Sequence, residues 1–128
     1  MTQYLISFDA RAMDHVASNN LPAVGAAAHA VAWEAGTAGV LVFAGLLQDP
    51  EGGSVVKPDG TVTAGTPEMT GGAVIIDVPS RDVALEWAAK IAVACRCAQE
   101  VREFIPDPEL DAMLRVRDDF GPTCPHSA

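Results

Sequence analysis

Apolar and polar positions along the chain fall into short blocks whose period switches between two and about 3.6. The clearest block runs from Gly71 to Ala94. Gly71-Gly72 precede the unbroken apolar run Ala73-Val74-Ile75-Ile76, whose β-branched residues suit a pleated, buried surface. Asp77-Val78-Pro79 ends it, because proline has no N–H to give to a sheet ladder. Ser80 is a good helix N-cap, with Asp82 in the following turn where the helix dipole favours a carboxylate. Val83, Trp87, Ile91 and Ala94 recur at spacings of four, four and three, while Asp82, Glu86 and Lys90 line another face. This pattern predicts a buried strand feeding an amphipathic helix that packs back on its own sheet.

Taken from the start, Tyr4 to Phe8 reads as a strand with Tyr4, Ile6 and Phe8 on one face. Asp9 to Asn20 has no convincing period and reads as a loop. Asn20 can cap a long helix, with Pro22 tolerated in its first turn. Leu21, Val24, Ala28, Val31, Ala35 and Ala38 form its core stripe. The opposite side offers Gly25, Ala26, His29, Ala30 and Trp33, with Glu34 and Thr37 almost its only other polar positions, where a surface helix normally shows charge. A helix apolar nearly all round is covered on more than one side, and in a chain this short a second subunit is the expected cover. Gly36 and Gly39 close the helix, and Val40 to Phe43 reads as a short buried strand. Ser54–Lys57 and Thr61–Thr63 flank Pro58-Asp59-Gly60, a hairpin signal. Gln99 to Ile105 reads as an edge strand whose charges blunt edge pairing. Glu109 to Arg117 is expected to be a short helix with Leu110, Met113 and Leu114 on one side, and Asp118 to Ala128 a loose polar tail. The order matches the split βαβ, ferredoxin-like α+β arrangement, an antiparallel sheet with two helices on one face. Residues 1–106 form the expected domain and residues 107–128 an acidic extension.

Composition narrows the partners. The 128 residues, 49% hydrophobic and 20% charged, suit one domain with its own core. A net charge of −9 makes nucleic acid and anionic membranes poor partners. No apolar run approaches the ~20 residues of a membrane span. The N-terminus lacks a basic region followed by a long apolar core, so no signal peptide is expected. Three cysteines give no even disulfide framework and suit a reducing cytoplasm.

The blocks QYLISFD, HAVAWEAGTAGVLVFAGLL, VVKPDGTVTAG, GGAVIIDVPSRDVALEWAAKIAVA and QEVREFI together resemble the YCII-related, or DGPF-domain, family. The resemblance runs from about Met1 to Glu109. It implies a ferredoxin-like protomer that dimerises sheet to sheet, a dimeric α/β barrel, in a family whose members mostly lack an assigned activity. The DGPF signature falls at Ala64-Gly65-Thr66-Pro67, which keeps the glycine but not the acid or the phenylalanine. In the YciI-like branch a first-helix histidine pairs with an aspartate near the end of the second helix as a proposed acid/base dyad. His29 falls about where that histidine would. The aspartate position corresponds to Ile91 or its neighbours Ala92 and Val93, and none of these is an acid.

His29 is the leading chemical candidate, since an imidazole exchanges protons near neutral pH; the alternative is a packed helix histidine. Trp33, one turn away, is a candidate wall for an apolar pocket. His15 is a second candidate binding residue, although its neighbour Asp14 is too close in sequence for dyad geometry. Cys95, Cys97, Cys124 and His126 make an awkward zinc set, because structural sites prefer two to four residues between paired cysteines. No metal or cofactor is expected, and no phosphate-cradling glycine loop is present. Two functional classes stand: a non-catalytic or regulatory homodimer that binds a small organic molecule, or a small lyase- or hydrolase-type enzyme with His29 as general acid/base. A carboxylate or tyrosine hydroxyl within reach of His29 in a closed pocket would favour the enzyme.

Overall fold

Six strands and three helices follow one another in the computed structural model, which describes residues 1–120, with side chains through residue 114. The strands are β1 (Thr2–Asp9), β2 (Leu41–Leu46), β3 (Ser54–Val56), β4 (Val62–Ala64), β5 (Thr70–Val78) and β6 (Glu100–Glu103). The helices are α1 (Leu21–Thr37), α2 (Arg81–Cys95) and α3 (Pro108–Phe120). Four strands form an antiparallel sheet in the order β2-β5-β1-β6. Each strand–helix–strand unit thus leaves a gap that a strand of the other unit fills, which is the split βαβ arrangement expected. No helix among the described residues is long and apolar enough to cross a membrane.

Register separates the two faces of the sheet. Tyr4 lies opposite Ile76 and Ile6 opposite Val74, and Tyr4, Ile6, Ile76 and Val78 are buried beneath the helices. Because successive side chains alternate, Gln3, Leu5, Ser7, Ala73, Ile75 and Asp77 belong to the other face. Phe43 pairs with Ile75 across β2 and β5 and joins that second face. No other described element packs over it to any extent. Ile6, Ile76 and Val78 are the largest fully buried side chains, each contributing about 1.5–3 kcal/mol by leaving water.

The local signals operate as their chemistry predicts, except that β2, expected to be a buried strand, is exposed from Val42 onward because it is the edge of the sheet, and with three further differences. Ser80 Oγ accepts from the Val83 N–H at 3.3 Å, and the 57–61 turn closes with Gly60 at positive φ and the Thr61 N–H donating to Asp59 Oδ1 at 2.8 Å. The hairpin forms a separate two-stranded sheet, β3 with β4, rather than extending the main one. The buried side of α2 is centred on Ala84, Ala88, Ile91 and Cys95, so the helix is turned by about one position from the expected Val83–Trp87 stripe. Small alanines allow close approach to the sheet, which leaves the bulky Trp87 half-buried at the side facing α1. Finally, α3 is longer than Glu109–Arg117 and takes in Asp118, Asp119 and Phe120. The rest of the expected tail lies outside the described residues.

Candidate functional site

A cavity of about 230 Å³ lies between the sheet and its two covering helices. Its origin is a shortage of side-chain volume on both sides. On α1, Gly25, Ala28, Ala32 and Ala35 fall on one helical face and point at the layer. Opposite them, β2 offers Ala44 and Gly45, and β5 borders the space at Ala73, whose side chain is turned by alternation to the other face. Close packing normally fills such a layer, but neither side here carries enough side chain to do so. On the remaining side α2 lines the space with Trp87, Ile91 and Cys95, one turn apart. Phe8 lies in the floor because it pairs with Gly72, where a Cβ would stand 2.6 Å from the Phe8 ring. The inner end is closed by Ile6, Ile76 and Ile91, which are buried, while Ala44, Leu46 and His29 are exposed. The cavity therefore opens along the β2 edge.

Polar chemistry in this space is sparse. His29 stands at the mouth, and among the described residues no hydrogen bond or ion pair reaches its imidazole. Gln99 donates from Nε2 to the Cys97 carbonyl at 3.4 Å and to Cys97 Sγ at 3.5 Å. Burial, and secondarily the neighbouring Cys97, pushes the Cys95 thiol above its ordinary range. Burial also raises Cys97, against the opposing hydrogen bond from Gln99. Both thiols are therefore protonated near neutral pH and are poor nucleophiles. The Trp87 wall is braced from outside: Lys90 Nζ sits 4.9 Å from the ring centroid and also pairs with Glu34 of α1.

The sequence candidates divide. His29 lines the cavity. Trp33, 76% exposed on the outer side of α1, does not; the indole that walls it is Trp87. His15 is exposed in the loop after β1, beside an Arg11–Asp14 ion pair at 3.5 Å, and is also not part of the lining. Ile91, one of the three positions (with Ala92 and Val93) to which the resemblance assigns the dyad acid, faces the same cavity as His29. No carboxylate or tyrosine among the described residues lines the cavity beside them. Cys95 ends α2 and Cys97 lies in the turn that follows; Cys124 and His126 lie outside the described residues. No cluster of three or more His, Cys, Asp or Glu side chains that could hold a metal occurs among the described residues.

Trp87, Cys95 and Gln99 were not singled out for this site by sequence reasoning. The available signal was the stripe Trp87-Ile91-Cys95, at spacings of four, set against the small residues Gly25, Ala28, Ala32 and Ala35 of α1.

A comparison with curated proteins returns no match. The model of the YCII-related domain matches residues 9–106, from the end of β1 through the residues just after β6. That span contains both covering helices, three of the four sheet strands complete, and every cavity-lining residue named above except Ile6 and Phe8. On that match, covering well over half of the sequence, the chain belongs to the YCII-related domain family.

Proposed function

We propose that this family member binds a small organic molecule in the cavity between its sheet and helices, as a homodimer that recognises its ligand without transforming it. The observation that carries this reading is the cavity itself: a concave, mostly apolar space with few polar groups converging on it, built from aligned small residues on α1 and β2. Binding is favoured over catalysis because a general base requires an orienting partner, and none of Ile91, Ala92 and Val93, where the resemblance would place the acid, supplies one. A regulatory role as a ligand-responsive dimer fits such a site.

The dimer reading rests on the uncovered sheet face. Phe43 is 58% exposed and Val42 50% exposed there and at the adjoining β2 bulge, next to Leu5 and Ile75. Large contiguous apolar patches are rare on monomers. Asp77, on the same face, keeps Oδ1 buried without a hydrogen-bond partner among the described residues. Such an atom is costly unless a second surface brings it a donor. Cys95 and Cys97 are free thiols, which supports a reducing, cytoplasmic setting.

A second reading, a lyase- or hydrolase-type enzyme, draws on the position of His29 at the cavity mouth. The test that bears on both is a thermal-shift screen of metabolites, followed by isoleucine-methyl NMR with each stabilising compound. Perturbation centred on Ile6, Ile76 and Ile91 is expected; shifts confined to other surfaces would refute the cavity as the site. Conversion of the bound compound during the experiment would move the assignment to the enzyme.

A further inference from the structure

We infer that the cavity selects an uncharged, flat molecule of about two fused rings carrying one hydroxyl or ring N–H, and that it rejects carboxylates of the same shape. This rests on the ligand-binding reading above and adds the chemical class.

Size comes first. An apolar cavity of ~150 Å³ stays dry and takes up benzene. The 230 Å³ here is about half as large again, room inside for a second fused ring. Shape follows from the walls. Phe8 and Trp87 both line the space, and aromatic side chains favour stacked or edge-on ring partners; Ala28, Ala32 and Ala35 of α1 line it with small side chains. The Trp87 wall is held in place by Lys90, with its ammonium 4.9 Å from the ring centroid and paired to Glu34.

Charge is decided by what the lining lacks. Among the described residues no Lys, Arg, Asp or Glu lines the cavity, and the chain carries a net charge of −9. A carboxylate would lose its hydration with no Lys or Arg in the lining to pair with and only the His29 imidazole, at the mouth, to donate to it, and an incompletely paired buried charge is unfavourable. The polar groups that do converge set the remaining requirement. Gln99 uses its Nε2 on Cys97, and among the described hydrogen bonds its Oε1 accepts none. That carbonyl oxygen can accept from a hydroxyl or ring N–H on the ligand. At the mouth, the imidazole of His29 can take the same donor or give a proton to an acceptor.

The experiment uses the full chain at pH 7 with three probes of one shape: 2-naphthol, naphthalene and 2-naphthoate. Calorimetric titration is paired with thermal shift, in wild type and in Ala32→Leu and Ala44→Val, which fill the cavity from its helix side and its sheet side. 2-Naphthol is expected to bind tightest, with 2-naphthoate at least ten-fold weaker. The filled variants should stay folded and lose ten-fold or more in 2-naphthol affinity. Two variants on different elements are used so that misfolding of one leaves the other informative. Equal binding of 2-naphthoate and 2-naphthol, or 2-naphthol binding that neither filled variant weakens, would overturn the assignment. If the two-ring probes fail while larger or charged metabolites bind in a manner sensitive to Ala32→Leu, the ligand class is wrong and the ligand-binding reading stands. If no compound stabilises wild type in that sensitive manner, the ligand-binding reading falls with it.

Discussion

At the residue scale the decisive pair is His29 and Ile91. They face one cavity from different helices, and a proton-transfer site there would need a polar group where Ile91 supplies a hydrocarbon. His29→Asn keeps some hydrogen-bonding capacity but cannot exchange a proton near pH 7. It should leave the fold intact and change ligand affinity by less than about three-fold, an amount worth under ~1 kcal/mol. Titration of the best compound from the screen checks this, and a loss of ten-fold or more, or the loss of a measurable turnover, would make His29 a proton-transfer group. Trp87 gives a second, independent reading. Deleting a fully buried aromatic costs about 3–5 kcal/mol, but Trp87 is half-buried and borders open space, so Trp87→Ala should cost roughly 2 kcal/mol in urea unfolding. A change below ~0.5 kcal/mol would show that the Lys90–Trp87 bracing contributes nothing to the fold. Which of the two tryptophans walls the cavity was not legible from the chain. Trp33 and Trp87 both lie on apolar helix faces, and only the close approach of Ala84 and Ala88 to the sheet turns Trp87 toward α1.

At the scale of elements the sequence was far more readable. The capping serine, the proline after β5 and the glycine-containing hairpin each act through local chemistry, so Ser80, Pro79 and Gly60 marked their boundaries without tertiary information. The strand pattern 73–76 and the 4–8 block identified the two central strands, whose buried faces are set by alternation. What stayed hidden was the extent of pairing. β5 runs from Thr70 to Val78 and β2 to Leu46, because the neighbouring strands extend the ladder into residues with little strand preference of their own, such as Gly45 and Gly72. The end of α2 carries a testable strain. Arg96 caps it with φ 58°, in the left-handed region, which disfavours a side chain and suits glycine. Arg96→Gly should therefore raise stability by about 0.5–1 kcal/mol, read as a higher urea midpoint with unchanged slope. A lowered midpoint would mean that the Arg96 side chain makes a contact that outweighs the strain. α3 is the other element with a clear expectation. Leu110, Met113 and Leu114 are each more than half exposed, and the sheet with its two covering helices is complete before Pro108. Truncation after Asp107 should leave the melting temperature within about 4 °C of full length, a change of under ~1 kcal/mol. An insoluble truncation product would place α3 in the interface.

For the whole molecule the argument turns on which surface is left unsatisfied. A four-stranded sheet covered by helices on one side only is stable in water if its other face is polar. Here that face carries Leu5, Ile75 and Phe43 in adjacent strands, paired in register, and a buried, partnerless Asp77 oxygen among the described residues. The charges of β6, Glu100 and Arg102, fall at its far margin. α1 offers a rival apolar surface through Trp33, but that helix face lacks an orphaned polar group and is not continuous with the sheet. A second copy seated face to face would bury the sheet patch on both protomers and leave the cavity, on the opposite side of the sheet, open to its ligand. The protein at micromolar concentration should then scatter light with twice the 13.3 kDa mass of the chain. Phe43→Glu should convert it to a folded monomer, because Phe43 is exposed enough in the single protomer to accept a charge there, whereas at a sealed interface an unpaired carboxylate is strongly disfavoured. Trp33→Glu should leave the dimer unchanged. A wild-type mass near that of one chain would remove the sheet-to-sheet dimer, and a Trp33→Glu monomer would move the interface to α1.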